Sequence, residues 1–104
     1  MTNYQVLVTE PAARDLHGVA DYIANDLHEP ETARRQLGRL KEAVLSLGEY
    51  PTRCSLVAEP LLARQGFRKM VVDNYLVFYI VSDQLSTVTV IRVLYNRRDW
   101  ASLL

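Results

Sequence analysis

The sequence has one cysteine, two histidines, four glycines and four prolines in 104 residues, and its formal net charge is zero. Each scarcity removes a class of protein. Cys54 alone cannot close an internal disulfide, and no Cys/His spacing resembles a structural zinc site. The chain is therefore expected to need neither metal nor cofactor, and to suit a reducing, cytoplasmic compartment. No apolar run approaches the ~18 residues of a membrane span, and Met1 to Glu10 lacks a basic start leading into an apolar stretch, so neither export nor membrane insertion is expected. Twelve Lys and Arg balance twelve Asp and Glu, which leaves no global field to hold nucleic acid or an anionic membrane. There is no phosphate-cradling glycine loop, no G-x-S-x-G elbow and no H-E-x-x-H, and Cys54 has no histidine near it in the chain. The common hydrolase and nucleotide-binding designs fall away.

What is present is ordinary globular material. With 49% hydrophobic and 23% charged residues, a chain of this length forms one domain over residues 1–104 and buries roughly 65% of its unfolded surface. The charge is unevenly spread. Residues 1–33 carry one base, Arg14, against Glu10, Asp15, Asp21, Asp26, Glu29 and Glu31, a net −5 that leaves +5 for residues 34–104.

Tyr4-Gln-Val-Leu-Val8 is rich in β-formers and predicts a short opening strand. Thr9 then supplies a capping hydroxyl, Glu10 an acid for the positive first turn, and Pro11 a residue whose missing N–H costs nothing there, so a helix starts here. Leu16, Val19, Ala20, Ile23 and Leu27 follow as one helical stripe. His28-Glu29-Pro30-Glu31 breaks and restarts the pattern. A second stripe of Ala33, Leu37, Leu40, Val44 and Leu47 ends at Gly48, and Pro51 forbids continuation. The short link between two amphipathic helices implies an antiparallel hairpin. Gly18 and Gly38 each cost about 1 kcal/mol relative to alanine inside a helix, which a close helix crossing would explain.

Residues 49–66 show no sustained period and read as a long connection. Three β-rich runs follow, Phe67–Val72, Tyr75–Val81 and Thr87–Tyr95, joined by Asp73-Asn74 and by residues 82–86 as hairpins. The middle run is apolar on both faces, which places it inside the sheet. Trp100, Leu103 and Leu104 have helical spacing and are expected either to pack back or to form a small exposed patch. The order is β-α-α-β-β-β with a short C-terminal helical segment.

His17 and His28, among the acids of the first helix, read as solvated surface. Bases and phenols gather instead on the C-terminal strands. Arg68 and Lys69 open the second strand, Arg92 lies in the last, Tyr95, Arg97 and Arg98 mark its end, and Tyr75 and Tyr79 occupy the strand between. The start of 67–72 and the end of 87–95 are expected at related edges of one sheet. A guanidinium cluster there suits phosphate or carboxylate; the alternative is a set of ordinary salt bridges to Asp73, Asp83, Asp99 and the acidic helix. RNA cleavage at such a patch needs one group to take the 2′-hydroxyl proton, another to protonate the leaving oxygen, and cations for the phosphorane. Arginines supply only the last, and an unperturbed tyrosine titrates near ~10. The acid–base half of a nuclease is poorly represented.

Ala13-Arg-Asp-Leu16 leading to Asp21-Tyr-Ile23, then Leu47-Gly-Glu-Tyr-Pro51, Gly66-Phe-Arg68, Asn74-Tyr-Leu-Val-Phe-Tyr79 and Ile91-Arg-Val-Leu-Tyr-Asn-Arg-Arg-Asp99 together resemble the RelE/ParE superfamily. These are the toxin halves of bacterial type II toxin–antitoxin pairs, often labelled plasmid stabilisation proteins. The resemblance covers nearly the whole chain. It implies an α+β fold in which a helical hairpin packs on a mainly antiparallel four-stranded sheet, and a cognate antitoxin, encoded beside the toxin, that forms a hetero-oligomer with it. The RelE-like branch cleaves mRNA on the ribosome and typically carries an arginine in the central strand, where this sequence has Leu76. The ParE-like branch is associated with poisoning DNA gyrase, and the Arg92-to-Asp99 ending looks ParE-like, with Tyr95 replacing a histidine often seen there. The resulting expectation is a ParE-like toxin that binds gyrase through Arg68, Arg92, Arg97 and Arg98, with Trp100 as an apolar anchor. The alternatives are a ribosome-dependent endoribonuclease using Arg68, Lys69, Tyr95 and Arg97, and a toxin-derived binding module without activity. An antitoxin can supply an apolar helix to a groove or a strand to an exposed sheet edge.

Overall fold

The computed structural model describes residues 3–96 and 100–104. Along the chain run β1 (Gln5–Val8), α1 (Glu10–Asp21), a π-helical turn (Tyr22–Asp26), α2 (Pro30–Ser46), a 3₁₀ turn (Pro51–Arg53), α3 (Pro60–Arg64), β2 (Arg68–Val72), β3 (Tyr75–Ser82), β4 (Thr87–Tyr95) and a terminal 3₁₀ turn (Trp100–Leu103). The sheet order is β1-β4-β3-β2. β2, β3 and β4 are antiparallel neighbours, and β1 lies parallel to β4 at the edge.

Local chemistry sets each boundary. The Ala12 amide donates to the Thr9 hydroxyl at 3.2 Å, the cap that the sequence predicts. α2 starts at Pro30, where a proline loses no hydrogen bond. The two-residue turn at Asp73-Asn74 joins β2 to β3, with Asp73 at a left-handed φ of 54°. The Asp73 carboxylate receives the Arg39 guanidinium at 2.7 and 2.8 Å. That fork, together with Gln36, holds its carboxyl below the usual carboxylate value and ties the hairpin to α2.

The first helix departs from its expected stripe. The Leu27 amide donates to the Tyr22 carbonyl, an i→i+5 bond, so the last turn is π-helical and rotates every later side chain. Ile23 stays buried, but Leu27 turns out and is 46% exposed. Ala12, outside the expected stripe, is fully buried instead. Of the second stripe, Ala33, Leu40, Val44 and Leu47 are buried and Leu37 is half-buried.

Both faces of the sheet are covered. On one, Ala12, Leu40, Val44 and Leu47 of the helical side pack against Val77, Tyr79, Val88 and Val90. On the other, Leu76, Phe78 and Leu94 join Phe67 and Val57 under Leu62 and Ala63 of α3 and Trp100, Leu103 and Leu104 of the C-terminal segment. Each fully buried large side chain contributes on the order of 1.5–3 kcal/mol. Residues 49–66 are therefore more than a connection. Glu59 accepts from the Leu62 amide at 2.8 Å and Pro60 takes the first helical position, so α3 forms and roofs the second core. The C-terminal segment packs back, the first of its two expected arrangements.

Tyr79, in the middle of the first core, has its hydroxyl donating to the Pro51 carbonyl at 2.7 Å. Burial, and then the Cys54 side chain, push this phenol well above its ordinary value of 10.0, and burial raises Tyr75 as well. Tyr79→Phe is expected to lower stability by about 1–2 kcal/mol in urea denaturation at pH 7, because the Pro51 carbonyl loses its partner. The sign with pH follows from the raised values: the protonated phenols are shared by folded and unfolded chains below pH 10.0, the unfolded reference. Above it the unfolded chain ionises first, so stability falls as pH rises. Tyr79→Phe is expected to flatten that alkaline loss.

Candidate functional site

The β3–β4 ladder skips a residue. Phe78 faces Arg92 and Tyr79 faces Val90, which leaves Ile91 as the extra residue of a bulge. At this kink Arg92 meets α1. Its Nε and Nη2 donate to Asp15 at 2.7 and 2.9 Å, and the Val93 amide donates to the same carboxylate at 2.9 Å. Its Nη1 donates to the Leu103 carbonyl at 3.3 Å. Arg92, expected among the target contacts, is thus engaged by the fold, and the side chains of the pair are only 25% and 14% exposed. The hydrogen-bonded Asp15 carboxylate raises the Arg92 pKa further.

The remaining expected site residues separate. Lys69, Phe78 and Arg92 form one row across β2, β3 and β4, and Arg68 sits in the next row facing Tyr79. Arg68 Nη1 donates to the Cys54 carbonyl at 2.6 Å. Lys69 Nζ lies 5.8 Å from the centre of the Trp100 ring, which itself stacks on Phe78 at 5.0 Å. Trp100 is therefore part of the second core rather than a free anchor. Tyr95 is at the far end. It pairs with Tyr75, which pairs with Val72, so at ~3.3 Å per residue it lies about 13 Å along the sheet from the row of Arg68. The expectation that the start of β2 and the end of β4 share an edge is corrected here. Both strands run antiparallel to β3, hence parallel to each other, and the start of one lies away from the end of the other. Arg97 and Arg98 lie outside the described residues. Among the described residues, neither Arg68 nor Lys69 has a carboxylate partner, so the start of β2 keeps its positive charge.

At the Tyr95 end lies a groove of about 800 Å³ between α1 with its π-helical turn and the ends of β3 and β4. Its walls carry Val19, Ile23, Leu27 and Leu94 with the rings of Tyr22, Tyr75 and Tyr95. Tyr75 and Tyr95 meet edge to face at 5.6 Å. Asp15 and Arg92 line it too, but each satisfies the other. Among the described residues no cluster of His, Cys, Asp and Glu is arranged to hold a metal ion, and no helix is long and apolar enough to cross a membrane.

Two residues that tie elements of the fold together escaped the sequence reading. Asp15 stands inside the Ala13-to-Leu16 motif, but nothing in helical spacing reveals a partner 77 residues away. Arg53 donates to the Ser46, Glu49 and Tyr50 carbonyls at the end of α2; its signal is a base shortly after a Gly48 stop, where orphan carbonyls need donors. The Asp15–Arg92 pair predicts a coupled energetic effect. Asp15→Ala and Arg92→Ala are each expected to lower unfolding free energy by about 2–3 kcal/mol, with the double variant costing clearly less than the sum in a urea-denaturation cycle.

Comparison with known proteins places this geometry. Residues 6–100 match the model of the family described as ParE toxin of type II toxin-antitoxin system, parDE. The chain is 38% identical over 88 residues to Toxin RelE2 of Caulobacter vibrioides, covering 85% of this chain and 92% of that protein. Among solved structures it is similar to the RelBE2 toxin–antitoxin complex of Mycobacterium tuberculosis, with a TM-score of 0.68 and 26% identity over 90% of this chain and 99% of that one. The chromosomal ParDE system of P. aeruginosa shares the fold with a TM-score of 0.73 at 19% identity, over 88% of this chain and 95% of that one.

Proposed function

We propose, from the premise that this chain belongs to the ParE toxin family of type II toxin–antitoxin systems, that it arrests growth by binding DNA gyrase and is released from that task by a cognate antitoxin. The observation that carries the reading is Leu76. The resemblance to the RNA-cutting branch calls for an arginine in the central strand, and Leu76 is 2% exposed in the apolar core beneath α3 and the C-terminal segment. No cation reaches substrate from that position.

The acid–base inventory points the same way. Proton transfer to or from RNA works best with a group whose pKa lies near the operating pH. Tyr75 and Tyr79 are pushed up and away from neutrality, and Tyr79 already donates its proton to Pro51. Binding needs less. Arg68 and Lys69 at the start of β2, with Arg97 and Arg98 after β4, supply positive charge that steers and orients a macromolecular target. Arg92 and Trp100 leave that set and support it from within.

Antitoxin binding fits the apolar groove beside Tyr95, which offers side-chain contacts to an amphipathic helix. A bound helix there covers Tyr95 at the end of β4, so neutralisation follows from occlusion of that end of the sheet.

Purified chain is expected to inhibit gyrase supercoiling. Arg97→Glu or Arg98→Glu is expected to abolish that inhibition while leaving the thermal midpoint within about 1–2 °C of the parent. Unimpaired supercoiling together with cuts inside translated codons, seen by primer extension on mRNA from induced cells, would replace this reading with the RelE-like one. Absence of growth arrest on expression without antitoxin would leave the inactive binding module.

A further inference from the structure

Gly18 stands in the middle of α1, where glycine weakens a helix relative to alanine. The fold gives no reason for it. A Cβ built at Gly18 meets no atom within 4 Å, so no helix crossing or strand needs the space. Gly38 of α2 is equally open. The two differ in one respect: Gly18 lines the groove beside Tyr95, and Gly38 does not.

The groove also restricts what can enter. β3 has a strand on each side, and where β4 runs past β1, beyond Val90, its Ile91 carbonyl accepts from the Thr9 hydroxyl and its Val93 amide donates to Asp15, so a strand arriving there meets main-chain groups that α1 and its cap already hold. Side chains must make the contact. The floor presents no uncompensated charge, because Asp15 and Arg92 bind each other. Its rim carries three exposed apolar side chains, Tyr22 at 54%, Leu27 at 46% and Tyr95 at 41%. Leu27 is turned outward by the π-helical turn, a feature that concentrates at functional sites. Beside Tyr22, the exposed Asp21 and Asp26 have no ion pair among the described residues. The occupant that matches is an amphipathic helix whose apolar stripe is flanked by Lys or Arg.

We infer that Gly18 is a specificity-determining notch, kept free of a side chain so that the backbone of such a helix, supplied by the antitoxin, crosses α1 closely between Arg14 and Tyr22. Residues at i and i±4 form the ridges that helices pack against, and the side chain at the crossing sets the distance between axes. Glycine at the centre of the Arg14–Gly18–Tyr22 ridge shortens that distance. The free chain bears the local cost of the glycine, and the complex recovers it. This inference rests on the antitoxin reading and adds the residue that gates it.

The test uses the full chain and the product of the open reading frame adjacent to its gene. Thermal midpoints and dissociation constants are measured for wild type, Gly18→Ala and Gly38→Ala. Both substitutions are expected to raise the midpoint of the free chain by about 4 °C. Gly38→Ala is expected to bind as wild type does. Gly18→Ala is expected to bind about tenfold more weakly, as an added methyl in a packed contact does, although the free protein is more stable. Equal affinity of the two alanine variants while wild type binds tightly overturns the notch and leaves the antitoxin reading standing. Failure of wild type itself to bind that product overturns both.

Discussion

The pairing of Asp15 with Arg92 is the contact on which the arrangement of this domain depends. One carboxylate accepts both arms of a guanidinium fork and a strand amide, and the same guanidinium reaches the Leu103 carbonyl. Three parts of the chain that share no local sequence, α1, β4 and the C-terminal segment, are fixed by one pair of side chains. A bidentate pair of this kind gains both energy and direction. Because it is only partly exposed, losing one partner leaves the other charge poorly solvated, which is the expensive failure. The bulge at Ile91 belongs to the same device, because a ladder in perfect register would aim Arg92 differently.

That clamp explains how a small sheet can be covered on both sides. α1 and α2 bury one face, and the C-terminal segment with α3 buries the other, where Trp100 stacks on Phe78 under Lys69. β3 consequently has four successive buried residues, Leu76 to Tyr79, and alternation of polar and apolar positions disappears from it. The basic residues at the start of β2 are left outside both cores with their charge uncompensated by any described carboxylate. The floor of the groove at the opposite end is left apolar because Asp15 and Arg92 neutralise each other, while the exposed Arg14 beside them pairs with Glu10. Charge and apolar surface are thereby separated along one sheet.

Local signals made most of this fold legible. Thr9 with Pro11, Pro30, Gly48 with Pro51, and Asp73-Asn74 all act through their own backbone, and their effects appear where they stand. The strands needed only β-branched and aromatic runs. What stayed hidden was geometry between distant residues. Arg92 reads as a free base in sequence because its partner is on another element, and Trp100 reads as an anchor because the phenylalanine beneath it belongs to β3. The π-helical turn is equally invisible, since Tyr22 to Leu27 fits an α-helical stripe until the i→i+5 bond rotates it. α3 was missed for a different reason. Its five residues are too few for a period, although Glu59 and Pro60 form a recognisable start.

The strand directions carry a consequence for how such a surface works. Two strands flanking a common antiparallel neighbour are parallel, so the bases at the start of β2 and the phenol at the end of β4 sit in different rows. Proton transfer demands acid, base and cation within hydrogen-bond reach of the same few atoms. A separation of about 13 Å, four residues at ~3.3 Å each, defeats that requirement between Arg68 and Tyr95. The same separation is no obstacle to gripping a large partner, whose contacts extend over a patch of some 800 Å² and gain from being spread across it. Spacing, more than residue type, therefore keeps Arg68 and Tyr95 from acting on the same few atoms while leaving both free to touch one large partner.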